Sequence, residues 1–191
     1  MRKNIRGVPD YLRNSYTSTL MNWQIDSRLK HFVFIAEVSR PDRFVGSLFA
    51  RKLGGEPPMW GGRNMVAFYD RGDGAFLPAS YLHLWTQGTI GLVGGGCTDG
   101  TVMRAMRPDE QRLVTEAGGL LLQTLGYCFA RFEPDLEAFF GHCGDDRAKE
   151  VDLIAGFRET SVPYLLYRWN RELTEARKGE LLKQAVAIGN F

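Results

Sequence analysis

The chain has 191 residues, enough for one domain with its own core, and 44% of them are apolar, the ordinary share for a globular protein. A net charge of +2, with acidic and basic residues interleaved and only Arg2, Lys3 and Arg6 near the start, gives no electrostatic footprint for nucleic acid. No apolar run reaches about 18 residues, so no spanning helix and no membrane partner is expected, and the polar opening residues argue against a signal peptide.

Three scattered cysteines (Cys97, Cys128, Cys143) form no disulfide framework and imply free thiols in the cytoplasm. No zinc spacing is present, because His142-Cys143 with Cys97 lacks it and there is no CxxC pair.

Residues 9–30 carry apolar positions at helical spacing (Tyr11, Leu12, Tyr16, Leu20, Trp23), with Pro9 suited to a first turn. Residues 31–38 read as a short strand or as more helix, since a short apolar run does not decide. Ser39 and Pro41 mark a helix start, and Phe44, Val45, Leu48, Phe49 and Leu53 share one face up to Gly54-Gly55. The Pro/Gly-rich stretch 54–63 is a loop.

From residue 64 the texture is β. Strands are expected at 65–70, 77–86, 89–97 and 101–106, joined by the turn clusters 70–74, Gln87-Gly88 and 98–100, as an antiparallel meander. Gly94-Gly95-Gly96 inside the third strand marks a bulge or the close approach of a ligand or another backbone. A loop is expected from residue 107 to about 114. Thr115 is then the N-cap of a helix reaching Phe129, with Leu121, Leu122, Leu125 and Phe129 on its core face. Residues 136–141 read as a fifth strand, 147–155 as a helix capped by Asp145 or Asp146, and 161–169 as a last strand. The charged tail 172–188 reads as a helix packed on an edge or on a second copy of the chain, which leaves a homodimer open.

The stretch from Gly144 to Trp169, GDDRAKEVDLIAGFRETSVPYLLYRW, resembles the N-x-x-A … G-F … strand-Trp segment of the GNAT acyltransferase superfamily. The element order over residues 64–170 resembles it too. The resemblance implies an α/β (α+β) fold: a GNAT-like mixed sheet, an antiparallel meander followed by a helix-strand-helix-strand unit, with extra N-terminal helices. A single domain is expected, with residues 1–63 as a helical N-terminal part, 64–170 as the core and 171–191 as a C-terminal helix. The resemblance also implies acyl-CoA, acetyl-CoA in the first place, held with its pyrophosphate at a helix N-terminus where free N–H groups and the helix dipole favour anions. The matching segment, RPDEQRLVTEAGGLLL, assigns Ala105, Met106, Gln111, Arg112, Ala117, Gly118 and Gly119 to the cofactor. Its spacing between Gln111 and Gly118 is about two residues longer than the family pattern, so either the loop bulges around Arg107, Arg112 and the N–H groups of 117–119, or the cradle is lost.

His142 follows the fifth strand, where the family layout opens onto the thioester, and is a candidate base for an amine proton. Cys143 beside it is a candidate nucleophile or a half-buried thiol. Glu137 is a second candidate base, or a solvent-facing carboxylate. Tyr164 is a candidate acid, or aromatic packing; the family's usual tyrosine position falls on Asp152. His83, between Tyr81 and Trp85 on one strand face, is structural or lines an acceptor pocket. The expectation is an enzyme that moves an acyl group, acetyl in the first place, from acyl-CoA to the amine of a small molecule or a protein. A non-catalytic binding or assembly protein of the same fold is one alternative. An acyl-carrier-protein-dependent fatty acyltransferase with a lining of Phe139, Phe140 and Trp85 is another.

Overall fold

A computed structural model describes residues 25–59, 61–189 and 191. The helix expected over 9–30 lies almost wholly outside them. Among the described residues there are seven strands and six α-helices. In chain order they are β1 (Val33–Glu37), α1 (Asp42–Leu53), β2 (Gly62–Asp70), β3 (Phe76–Gln87), β4 (Ile90–Thr98), α2 (Gly100–Ala105), α3 (Pro108–Glu116), α4 (Leu120–Phe132), β5 (Ala138–His142), α5 (Asp146–Ile154), β6 (Arg158–Glu159), β7 (Leu165–Trp169) and α6 (Glu175–Ile188).

The strands form one sheet in the order β1-β2-β3-β4-β5-β7-β6. Every neighbouring pair is antiparallel except β4 and β5, which run parallel. Side chains alternate between the two faces, and each face is covered by helices. On one face α1 packs on Val66, Phe68 and Tyr81, and α6 lays Leu181 and Ala185 on Ile90, Leu92, Ala138 and Phe140. On the other, α2 and α3 cover Ala67, Tyr69 and Ala79, while α4 covers Met65, Leu82, Leu84, Val93 and Phe139. The charged tail thus lies as a helix on a face of its own chain's sheet.

Local chemistry explains most boundaries. Gly54, at φ +69°, returns its N–H to the Ala50 carbonyl and ends α1. Its expected cap Ser39 is replaced by Pro41 at the N-cap position, with no side-chain bond. Asp145 caps α5 by accepting from the Ala148 N–H at 2.8 Å, and Thr174 caps α6.

The expected fourth strand, 101–106, is a helix. The Asp99 carboxylate accepts from the Thr101 N–H at 2.8 Å and starts α2 where an Asp-Gly turn was read. The expected loop 107–114 is also helical. Pro108 opens α3, and the Glu110 carboxylate reaches back to the Arg107 N–H at 3.0 Å. Thr115 therefore sits inside α3, bonded to the Gln111 carbonyl, and α4 begins five residues later at Leu120. The last strand is shorter than expected and pairs with the two-residue β6.

Candidate active site

β4 and β5 pair from Ile90 with Ala138 to Val93 with Gly141, and no further. Beyond that point β4 continues to Thr98 against β3, and β5 reaches His142 against Leu165 of β7. The ladder between the two strands therefore ends at Val93 and Gly141, a notch in the pairing of the sheet. The wall of this notch is Gly94-Gly95-Gly96. Between the pairs Tyr81 with Cys97 and His83 with Gly94, one residue of β3 faces two of β4, so the glycines form a bulge, with Gly95 at φ +63°.

Two faces meet at the notch. Leu92 and Phe140 pack under α6, so Gly94 and His142, each two residues further on, present to the same side. Val93 and Phe139 pack under α4, so Gly96, Gly141 and Cys143 present to the other. On that second side a Cβ at Gly96 would lie 3.2 Å from Leu121, which places the first turn of α4 directly over the glycine strip.

The start of α4 decides whether an anion fits. The N–H groups of Ala117, Gly118 and Gly119 bond back to Leu113, Thr115 and Val114 and close α3, so the cradle expected from them is already spent. The first N–H groups of α4 itself have no acceptor within their own helix, and its N-cap Gly119 offers no side-chain cap. No atom lies within 4 Å of a Cβ built on Gly119, so nothing crowds that side of the N-cap.

The other expected cofactor residues belong to the α2–α3 insert. Ala105 ends α2, Met106 is buried among Val102 and Val114, and the Gln111 amide donates to the Met106 carbonyl at 2.8 Å. Arg112 and Arg28 both pair with Glu116, which offsets the carboxylate charge near α4.

At the end of β5, the His142 ring lies 6.1 Å from the Tyr164 ring and 6.1 Å from that of Phe191. Tyr164 is 63% exposed and holds φ +66°, a strained conformation for a bulky residue that aims its ring at His142. It is the turn residue before β7 rather than a strand residue, and its carbonyl accepts from the Cys143 N–H at 2.9 Å. Cys143 points the opposite way from His142. Burial pushes its thiol up to about 11, and the thiol donates to the Asp145 carbonyl, both of which disfavour the thiolate. Asp152 stands against Cys143 and, through burial, has its carboxyl raised to about 6. A cavity of about 330 Å³ beside them is lined by Cys143, Asp145, Lys149, Glu159 and Tyr164.

Three sets of candidates do not meet at the notch. Glu137 precedes the paired end of β5, away from the notch. Its carboxylate takes the Arg177 Nε and Nη2 and the Thr89 hydroxyl, and these bonds hold it down to about 2 and clamp α6 to the sheet. His83 leans over Gly62 and meets the Asn64 Oδ1 at 3.0 Å, on the β2 side away from the notch. Phe139 and Phe140 are fully buried on opposite faces of the sheet, and so share no acyl tunnel with Trp85. No local pattern points to Phe191 at His142, a contact that depends on where α6 ends in space. Asp152 is singled out in the sequence only as standing at the family's tyrosine position, and its contact with Cys143 has no local signal.

No family model matches the sequence, and none of the curated proteins does. Solved structures do match. A GNAT-family acetyltransferase from Staphylococcus aureus Mu50 is 13% identical, with 73% of this chain and 99% of that one covered and a TM-score of 0.47. The ribosomal-protein-S18-alanine N-acetyltransferase from Escherichia coli is 11% identical, with 75% and 97% covered and a TM-score of 0.52. The second likeness, with a TM-score of 0.52, establishes the fold alone: the chain has the mixed α/β fold of that acetyltransferase.

Proposed function

We propose that the protein transfers an acyl group, acetyl in the first place, from acyl-CoA to an amine of a small molecule or a protein. The observation that carries this reading is the end of the β4–β5 ladder beside a helix start that has no side-chain cap. The residues fit the donor: the first N–H groups of α4 would take its phosphates, and the main-chain edge of Gly94–Gly96, where β4 no longer pairs with β5, would take its arm. The donor supplies an acyl carbon already activated as a thioester. The main-chain N–H groups of β4 past Val93 support the acyl oxygen as charge develops on it. His142 accepts the amine proton as the C–N bond forms and returns a proton to the sulfur as the C–S bond breaks. Tyr164 holds the imidazole from one side.

Acetyl-CoA at 100 times its dissociation constant stabilises a single-site binder by about 2.7 kcal/mol, a rise in Tm of roughly 5–10 °C for this size. A thermal melt with millimolar acetyl-CoA, followed by thiol release in the presence of amines, tests the reading. An unchanged Tm overturns it. The closure of α3 by the N–H groups of residues 117–119 favours a second reading, a non-catalytic protein of this fold, which the same melt separates from the first.

A further inference from the structure

The face of the notch under α6 is occupied by the chain itself. After α6, Gly189 turns at φ +81°. The main-chain carbonyl of Phe191 then comes to rest on Gly94: a Cβ built there would lie 2.9 Å from its oxygen and 3.0 Å from its carbon. The Phe191 ring meets His142 edge-on at 75° and joins the apolar cluster of Ile90, Leu92, Phe140 and Leu181. His142 is therefore flanked by Tyr164 on one side and Phe191 on the other.

The two faces have different tasks if the proposed reaction is right. Leu121 and Leu82 fill the α4 side of Gly96, at 3.2 and 3.3 Å from a Cβ built there, so the thioester arm would run from the helix start along the main-chain edge of the notch. The amine must then arrive on the other side, where Gly94 and His142 present. Phe191 covers both. Gly94 also has no side chain, and its bare α-carbon is what lets the Phe191 carbonyl come so close.

We infer that Phe191 is a plug: it closes the acceptor side of the notch over Gly94 and His142, and the acceptor gains the site only when Phe191 leaves. The inference rests on the acyltransferase reading for its consequence, but the plug itself is measurable without any activity.

Diethyl pyrocarbonate modifies accessible imidazoles, and the chain has three: His31, His83 and His142. Their rates, read by peptide mass spectrometry, are compared in the intact protein, in Phe191→Ala and in a chain ended after Ile188. His31 is exposed and serves as the internal reference. Gly94→Ala is a fourth protein that keeps the whole segment but denies its carbonyl the seat. A cooperative melt for each protein confirms folding. The expected result is a rise of about tenfold in the His142 rate relative to His31 in all three variants, with His83 unchanged. Equal His142 rates in the intact and altered proteins overturn the plug. Thiol release from acetyl-CoA with a panel of amines then addresses the site. Faster turnover in the chain ended after Ile188 supports plug and acyltransferase together. A raised His142 rate with no acetyl-CoA binding in any of the proteins leaves the plug standing and removes the acyltransferase reading.

Discussion

The Tyr69 hydroxyl donates to the Glu110 carboxylate at 2.8 Å, and both side chains are buried. The same carboxylate takes the Arg107 N–H at 3.0 Å and the Arg107 guanidinium at 2.9 Å. Through this one group α3 is tied to β2, and α3 in turn sets where α4 begins. Glu110→Ala leaves the Tyr69 hydroxyl buried without an acceptor and should cost about 2–3 kcal/mol, while Tyr69→Phe should cost about 1 kcal/mol. Urea unfolding of both variants and of the double variant measures the coupling.

Gly95 holds φ +63°, and a Cβ there would lie 3.2 Å from the Phe49 ring. Gly95→Ala carries a left-handed penalty of about 1–2 kcal/mol, and relieving it pulls the bulge toward regular pairing. Lower stability together with weaker acetyl-CoA binding by calorimetry is the expected pair of results.

Burial raises Asp152 to about 6. The native state holds this proton more tightly than the unfolded chain, so the group's contribution is complete below the ordinary carboxylate range. It is lost as pH rises through about 6. Asp152→Asn keeps an acceptor beside Cys143 and removes the titration. Relative to the parent, the variant should gain up to about 3 kcal/mol between pH 4 and pH 8, read from denaturant midpoints across that range.

His142 and Glu137 lie at opposite ends of β5, and their substitutions should separate. His142→Gln should lower the acyl-transfer rate by about 100-fold or more with little change in acetyl-CoA affinity. Glu137→Gln should leave the rate unchanged and loosen α6, because it weakens the bond to Arg177. A loss of rate in Glu137→Gln without a loss of stability would mark Glu137 as a base.

Much of the sheet was legible because its strands announce themselves locally. Asp70 to Gly74 and Gln87-Gly88 turn the chain where polar and glycine residues cluster, and the alternation between them matches β2, β3 and β4. Residues 101–106 misled because Thr-Val-Met alternates like a strand, while the deciding event is one side-chain bond from Asp99. Likewise Gly118-Gly119 was read as the inside of a helix start, when the pair closes one helix and opens the next. The region of the site was legible from His142 and the three glycines. What was not legible is what surrounds them: Glu137 bound to a helix forty residues away, and Phe191 laid on Gly94, are long-range contacts with no local periodicity.

The one parallel pair in the sheet has a kinetic consequence. β2, β3 and β4 join through short turns, but Ile90 meets Ala138 only after roughly fifty residues of intervening chain have been drawn into a loop. That ordering penalty falls on β5 and is met only once α4 can dock, whereas the hairpins require no such closure. The meander is thus the part able to assemble early, and the notch arises when β5 arrives and stops pairing at Gly141. Substitutions at that seam should speed unfolding while leaving the rate of folding nearly untouched if β5 docks after the barrier, and slow folding if it docks before.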